Sequence, residues 1–257
     1  MKEIQSIKNQ TIKDVKKFHQ KKHRDQQNKY LLEGYHLVEE AVLAGIIIDT
    51  VFIDQKGYEL YHDWLVEQEI DTYLVSHDVL KNLSELPTPQ GIVALVNKQN
   101  VVVESYRGAW LLLDGVQDPG NVGTLIRTAD AAGFSGVILG DGTADLYSSK
   151  VLRSMQGSNF HLPIISGNLI ERIKHFRSAG IPVYGTELNK DALPYKKVTP
   201  VRDVAIVLGN EGQGVSQAVL SLTNQNLYIP IYGKAESLNV GIAGGILMYH
   251  FVNEMNN

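Results

Sequence analysis

The 257-residue chain contains no cysteine. That excludes disulfides, thiolate nucleophiles, iron–sulfur clusters and cysteine-ligated zinc, and it suits a reducing compartment. Long apolar runs are also missing. The longest, near Ile242 to Tyr249, is too short to span a bilayer, and Met1 to Ser6 has no apolar core of a secretory signal. Together these absences predict a cytoplasmic protein. The eight histidines form no H-E-x-x-H, no G-x-S-x-G elbow occurs, and no G-K-[ST] follows the glycine clusters. Zinc-protease, esterase and Walker-type nucleotide chemistry are thereby set aside, and no metal site is expected.

What is present is an ordinary globular composition, 44% hydrophobic and 20% charged. The net charge of −4 does not suggest a nucleic-acid binder, but its distribution does. Lys2, Lys8, Lys13, Lys16, Lys17, Lys21, Lys22, Arg24 and Lys29 face only Glu3, Asp14 and Asp25 in the first 29 residues. A locally basic segment can hold phosphates while the rest of an acidic chain stays soluble; the plainer reading is a solvated helix face. Ile12, Val15 and Phe18 lie three apart, so residues 9–22 are expected to form one basic amphipathic helix. Alternating helices and strands then run to Val96, and the polar stretch Asn97-Lys98-Gln99-Asn100 reads as a linker. Two α/β domains follow from this, 1–98 and 107–257.

In the second domain short apolar strands alternate with helices, the pattern of a mostly parallel sheet covered on both faces. Ligands bind beyond the carboxyl ends of such strands, and three loops there carry polar and glycine residues. The first is Asp114 to Ala129, with Gly115, Gly120, Asn121, Gly123 and Arg127. The second is Leu208-Gly209-Asn210-Glu211-Gly212-Gln213-Gly214, whose glycines are expected to leave amides open to a ligand. The third is Ile229 to Gly241, with Ser237 and Asn239 before an apolar helix predicted from about Val240 to Asn253. Both residues are good helix caps. A nicotinamide-binding fold is an alternative, because Asp141 follows the next strand; the glycine spacing, G-x4-G-x2-G, disfavours it. Lys150 and Arg153 share a helix face and could hold phosphate. His161, near an apolar run, is expected to be packed.

Taken in order, Asn121-Val-Gly-Thr-Leu-Ile-Arg127-Thr-Ala, Leu208-Gly-Asn-Glu211-Gly-Gln-Gly-Val, and Ile229-Pro with Glu236-Ser237-Leu238-Asn239-Val240 resemble the SpoU (TrmH-type) RNA ribose 2′-O-methyltransferases of the SPOUT superfamily. The resemblance covers Trp110 onward. A looser likeness, through Ser6-x-x-Asn9, Lys13, Leu32-Glu33-Gly34 and Thr88-Pro89-Gln90-Gly91, links the first domain to that family's L30e-like RNA-binding domain. The resemblance implies a catalytic domain with a C-terminal trefoil knot, S-adenosylmethionine as cofactor, a homodimer, and RNA as partner, ribosomal rather than transfer RNA. It implies a catalytic set of Asn121, Arg127, Glu211, Ser237 and Asn239. Cofactor contacts are expected from Thr186, Leu208, Gly209, Asn210, Gly212, Ile229 and Leu238. RNA contacts are expected from Lys13, Lys16, Lys17, Lys21, Lys22, Arg24, Lys150 and Arg153. One departure stands out: Gly241 replaces the family's usual serine, which keeps open an RNA-binding module that has lost catalysis. Gly244 and Gly245, inside the last predicted helix, suggest close helix packing, with a dimer interface as one place for it.

Overall fold

Alternating apolar segments build two separate sheets. The computed structural model describes residues 2–252. The chain forms two compact units: Met1–Asn100 with Tyr147–Phe160, and Val101–Leu146 with His161–Asn257.

The first unit contains strands β1 (Lys2–Ile4), β2 (Lys29–Glu33), β3 (Ile48–Ile53), β4 (Thr72–Val75) and β5 (Ile92–Asn97), in the order β1-β4-β3-β5-β2. β5 runs antiparallel to both β2 and β3, and the remaining pairs are parallel. Its helices are α1 (Gln10–Lys16), α2 (Lys21–Gln27), α3 (Tyr35–Leu43), α4 (Gln55–Glu67), α5 (His77–Leu83) and α7 (Ser149–Met155); α6 lies in the second unit. Asn9 caps α1 by accepting from the Thr11 amide at 2.9 Å. Ile12, Val15 and Phe18 are buried together, as their spacing requires.

The single helix expected over 9–22 is instead two. Gln20 takes an extended conformation, φ −93° and ψ 128°, and breaks it. Arg24, expected on RNA, fastens that break. It is 5% exposed, and its guanidinium donates to the carbonyls of Phe18 at 2.8 Å and His19 at 2.6 Å. α7 comes from the middle of the second expected span and is grouped with the first unit. Just before it, Tyr147 lies with its ring 4.6 Å from Tyr30 and under the Lys98 ammonium at 4.6 Å.

The second unit holds β6 (Ala109–Asp114), β7 (Gly136–Leu139), β8 (Ile164–Ser166), β9 (Val183–Thr186), β10 (Leu193–Pro194), β11 (Val204–Gly209) and β12 (Gln225–Tyr228). All pair in parallel, in the order β10-β12-β9-β11-β6-β7-β8. The helices are α6 (Pro119–Ala131), α8 (Leu169–Ser178), α9 (Gln217–Leu220) and α10 (Val240–Val252). The central strands β6 and β11 are buried throughout Leu111–Leu113 and Val204–Leu208, which explains their continuous apolar sequence. β8 and β10 are too short to leave a pattern in the sequence.

Helix α10 lies against α6. A Cβ at Gly244 would overlap the Leu125 side chain and stand 2.7 Å from Leu208 Cδ1. The close helix packing expected at Gly244 is therefore present, and here it is packing within the chain. The opposite face of α10 leaves Ile242 58% and Tyr249 45% exposed. The predicted extension of α10 to Asn253 lies outside the described residues.

Candidate active site

The carboxyl ends of β9, β11 and β12 open into a cavity of about 920 Å³, within the range of roughly 300–1,000 Å³ usual for small-ligand sites. All seven residues expected to hold the cofactor line it: Thr186, Leu208, Gly209, Asn210, Gly212, Ile229 and Leu238. Glu211, Ser237 and Asn239 line it as well.

The loop after β11 is built as a rigid turn. The amides of Asn210 and Gly214 each donate to the other's carbonyl at 2.9 Å. The Asn210 side chain accepts from the amides of Gly212 at 2.9 Å and Gln213 at 3.1 Å, and donates to the Gly115 carbonyl at 2.9 Å. The expectation that the glycines leave these amides open is thus corrected: the loop consumes them itself. Gly209 is required because a Cβ there would collide with the backbone of Gly214 and Val215.

Glu211 is exposed, but its carboxylate is not free. Its carboxylate accepts from the amides of Gln117 and Asp118, both at 3.1 Å, and from the Asn121 side chain at 3.0 Å. Burial alone would raise its pKa; the bonds from Asn121, Gln117 and Asp118 outweigh that and hold it below the ordinary value. Asn121 does not cap α6, since Asp118 does so by accepting from the Asn121 amide at 2.9 Å. Its side-chain oxygen instead accepts from Asn239 Nδ2 at 3.0 Å. Asn239 Oδ1 in turn accepts from the amides of Gly241 at 2.8 Å and Ile242 at 3.3 Å, opening α10. A continuous chain, Glu211–Asn121–Asn239, thereby ties the three loops together. Asn239 is both cap and cavity wall, whereas Ser237 makes no capping bond and only lines the cavity. At Gly241 a Cβ would stand 3.1 Å from Asn239 Oδ1. The network closes without a serine hydroxyl.

Arg127 lies on the exposed face of α6, outside the lining, with no ion pair among the described residues. In the first unit Lys13, Lys16, Lys17, Lys21 and Lys22 are exposed, with Lys17 2.7 Å from Asp14. Lys150 is exposed, whereas Arg153 is half-buried and one guanidinium nitrogen is enclosed. His161, expected to be packed, is exposed and pairs with Asp130 at 2.8 Å.

The lining includes the carboxylates of Glu187, Glu211 and Glu236, with no lysine, arginine or histidine among the described residues. Such a cavity favours a cationic ligand and disfavours a pyrophosphate. Asp141 is exposed and does not line it. Both points count against a nicotinamide dinucleotide. A model of the SpoU rRNA methylase family matches residues 108–249.

The chain belongs to that family.

A model of an MRM3-like substrate-binding domain matches residues 9–94 of this SpoU methylase. It is 46% identical over 250 residues to the 23S rRNA (guanosine(2553)-2′-O)-methyltransferase RlmP of Bacillus subtilis, covering 97% of this chain and 99% of RlmP. It is similar to an AdoMet-bound rRNA methyltransferase from Sinorhizobium meliloti: 32% identity, TM-score 0.88, covering 99% of this chain and 98% of that one. It also resembles AdoMet-bound AviRb of Streptomyces viridochromogenes: 25% identity, TM-score 0.87, covering 97% and 99%. The SpoU protein is an S-adenosylmethionine-dependent RNA ribose 2′-O-methyltransferase. The three cavity carboxylates fit a ligand bearing a sulfonium and an ammonium group, and Leu208 and Leu247 supply an apolar wall. The cofactor supplies a methyl group bonded to cationic sulfur. Neither the oxidoreductase nor the inactive-module alternative is favoured.

Proposed function

We propose that this enzyme methylates the ribose of a 23S rRNA guanosine in the cytoplasm, using both units. The observation that carries this is the 46% identity to RlmP across 97% of the chain. That span includes the RNA-holding half, where target choice resides, as well as the catalytic half.

Ser237 and Asn239, on the cavity wall, position the acceptor hydroxyl beside the methyl group. Asn121 and Glu211 act through Asn239: the carboxylate fixes the Asn121 amide, which fixes Asn239. Thr186, Leu208, Gly209, Asn210, Gly212, Ile229 and Leu238 hold the cofactor. A guanidinium stays protonated at any working pH, so Arg127 is a poor proton acceptor. Its fork instead orients the neighbouring phosphate and stabilises charge developing on the attacking oxygen. In the first unit Lys13, Lys16, Lys17, Lys21 and Lys22 hold RNA phosphates, with Lys150 beside them in role.

The exposed apolar stripe of α10, with Ile242 and Tyr249, supports a homodimer built on the second unit. Arg127, exposed on α6 against which α10 packs, then serves the partner's site. The segment from Ile229 to Asn239 is the part that threads the trefoil knot. Mass spectrometry of 23S rRNA from a deletion strain tests the reading. Loss of one ribose-methylated guanosine is expected; an unchanged 23S methylation map refutes it.

A further inference from the structure

Between Ile231 and Leu238 the chain is exposed at every residue and makes no hydrogen bond among the described residues. It is anchored by β12 before it and by the Asn239 cap after it. Most of the segment lines the cofactor cavity, including Ile231, Gly233, Ala235, Glu236 and Leu238. Tyr232 and Lys234 do not line it, and of the two only Tyr232 presents a ring. Both neighbours of Tyr232 line the cavity, and it is 94% exposed, more than any other large hydrophobic residue described. A whole aromatic ring is thus left in water at the rim of the site where the methyl group is handed over.

The acceptor constrains what that ring can meet. A ribose hydroxyl must reach the cavity mouth while its base stays outside the cofactor's space. The rim carboxylates of Glu187, Glu211 and Glu236 repel the RNA backbone, so close phosphate contacts are disfavoured there. Stacking on an uncharged ring carries no such penalty, and unpaired RNA bases present a bare π-face to it. Lys234, exposed two residues on, places a cation on the outer side of the same loop.

We propose that Tyr232 is the platform on which the base of the acceptor nucleotide stacks, and hence a specificity-determining residue for the methyl transfer. This rests on the RNA-methylation reading above. The test uses the full-length enzyme, labelled S-adenosylmethionine, and total RNA from a strain lacking the enzyme, so that an acceptor is present whichever RNA is the target. Tyr232→Ala should lower kcat/KM for RNA by about tenfold to a hundredfold, the loss typical of one stacking platform. Tyr232→Phe should stay within about twofold of wild type, since the ring face is kept. Cofactor affinity by calorimetry and sedimentation behaviour should not change.

The proposal is overturned if Tyr232→Ala is as active as wild type, or if Tyr232→Phe is as impaired as Tyr232→Ala. It is also overturned if cofactor affinity falls in parallel with activity, which would make Tyr232 a cavity wall. Altered sedimentation overturns it too, by making Tyr232 a residue of the interface between copies. Which RNA carries the label tests the 23S assignment separately.

Discussion

Replacing Asn121 with alanine removes the middle of the Glu211–Asn121–Asn239 chain. Two hydrogen bonds go at once, one to a carboxylate and one to an amide, each 3.0 Å long. A bond to a charged group is worth about 1.5–3 kcal/mol and a neutral one about 0.5–1.5 kcal/mol. Asn121 is only half-buried, so water recovers part of this, and a net loss of about 1–3 kcal/mol is expected. The pairwise share is isolated by a cycle with Asn239→Ala. That variant also loses a helix cap worth about 1 kcal/mol, a contribution the cycle subtracts. The coupling between the two asparagines should be about 0.5–1.5 kcal/mol. The assay is urea unfolding followed by tryptophan fluorescence. The chain has two tryptophans, and Trp110 is 1% exposed in the core of the second unit. In a Trp64→Phe background it reports that unit alone. A coupling below about 0.3 kcal/mol, indistinguishable from additivity, would refute the idea that the three loops are held as one.

Further outcomes are expected at other positions. Gly209→Ala forces a Cβ into the Gly214 and Val215 backbone; it should abolish measurable cofactor binding in calorimetry while the first unit stays folded. Glu211 has a lowered folded-state pKa, so the stability it contributes is complete above its ordinary value of 4.5 and is lost as pH falls through the folded value. Urea midpoints from about pH 6 to about pH 3 should therefore drop less steeply in Glu211→Gln than in wild type. Exchanging Lys16, Lys17, Lys21 and Lys22 for alanine should weaken RNA binding and flatten its salt dependence by roughly 0.7–0.9 log unit for each phosphate no longer neutralised. Arg24→Ala, by contrast, should destabilise the first unit by about 1–3 kcal/mol and leave the salt slope unchanged. Arg127→Ala should lose methyl transfer and keep cofactor affinity; mixing it with Asn239→Ala should restore about a quarter of wild-type activity if the arginine acts across a two-fold dimer. No restoration in subunits shown to exchange would place Arg127 at its own subunit's site.

The cavity wall was legible because its requirements are local. A turn that must pass close to another backbone demands glycine, as at Gly209, and a helix start that opens on a cavity demands short polar side chains, as at Asn239. Order along the chain then separated these motifs from chance capping. The connections between them were less legible. Nothing within the loop containing Glu211 announces that its carboxylate accepts from Gln117, Asp118 and Asn121, residues at least 90 positions earlier. Arg24 was misread because charge counts carry no direction: in the basic segment its neighbours Lys21 and Lys22 point to water and Arg24 points inward. The single helix over 9–22 was misread because its apolar spacing continues to Phe18, which sits in a 3-10 turn that keeps the same face buried before Gln20 opens. Whether the close packing at Gly244 is internal was hidden for a similar reason. An all-round apolar helix does not say which face meets its own chain and which meets a neighbour.

The central claim is that this chain transfers a methyl group from S-adenosylmethionine to a ribose hydroxyl of RNA. The most direct measurement is incubation of the purified enzyme with methyl-labelled S-adenosylmethionine and RNA from a strain lacking it, followed by complete digestion and mass spectrometry of the nucleosides. The account predicts that the label resides on the ribose of a 2′-O-methylated nucleoside. Label on a nucleobase, or no transfer by an enzyme that binds the cofactor, would contradict it.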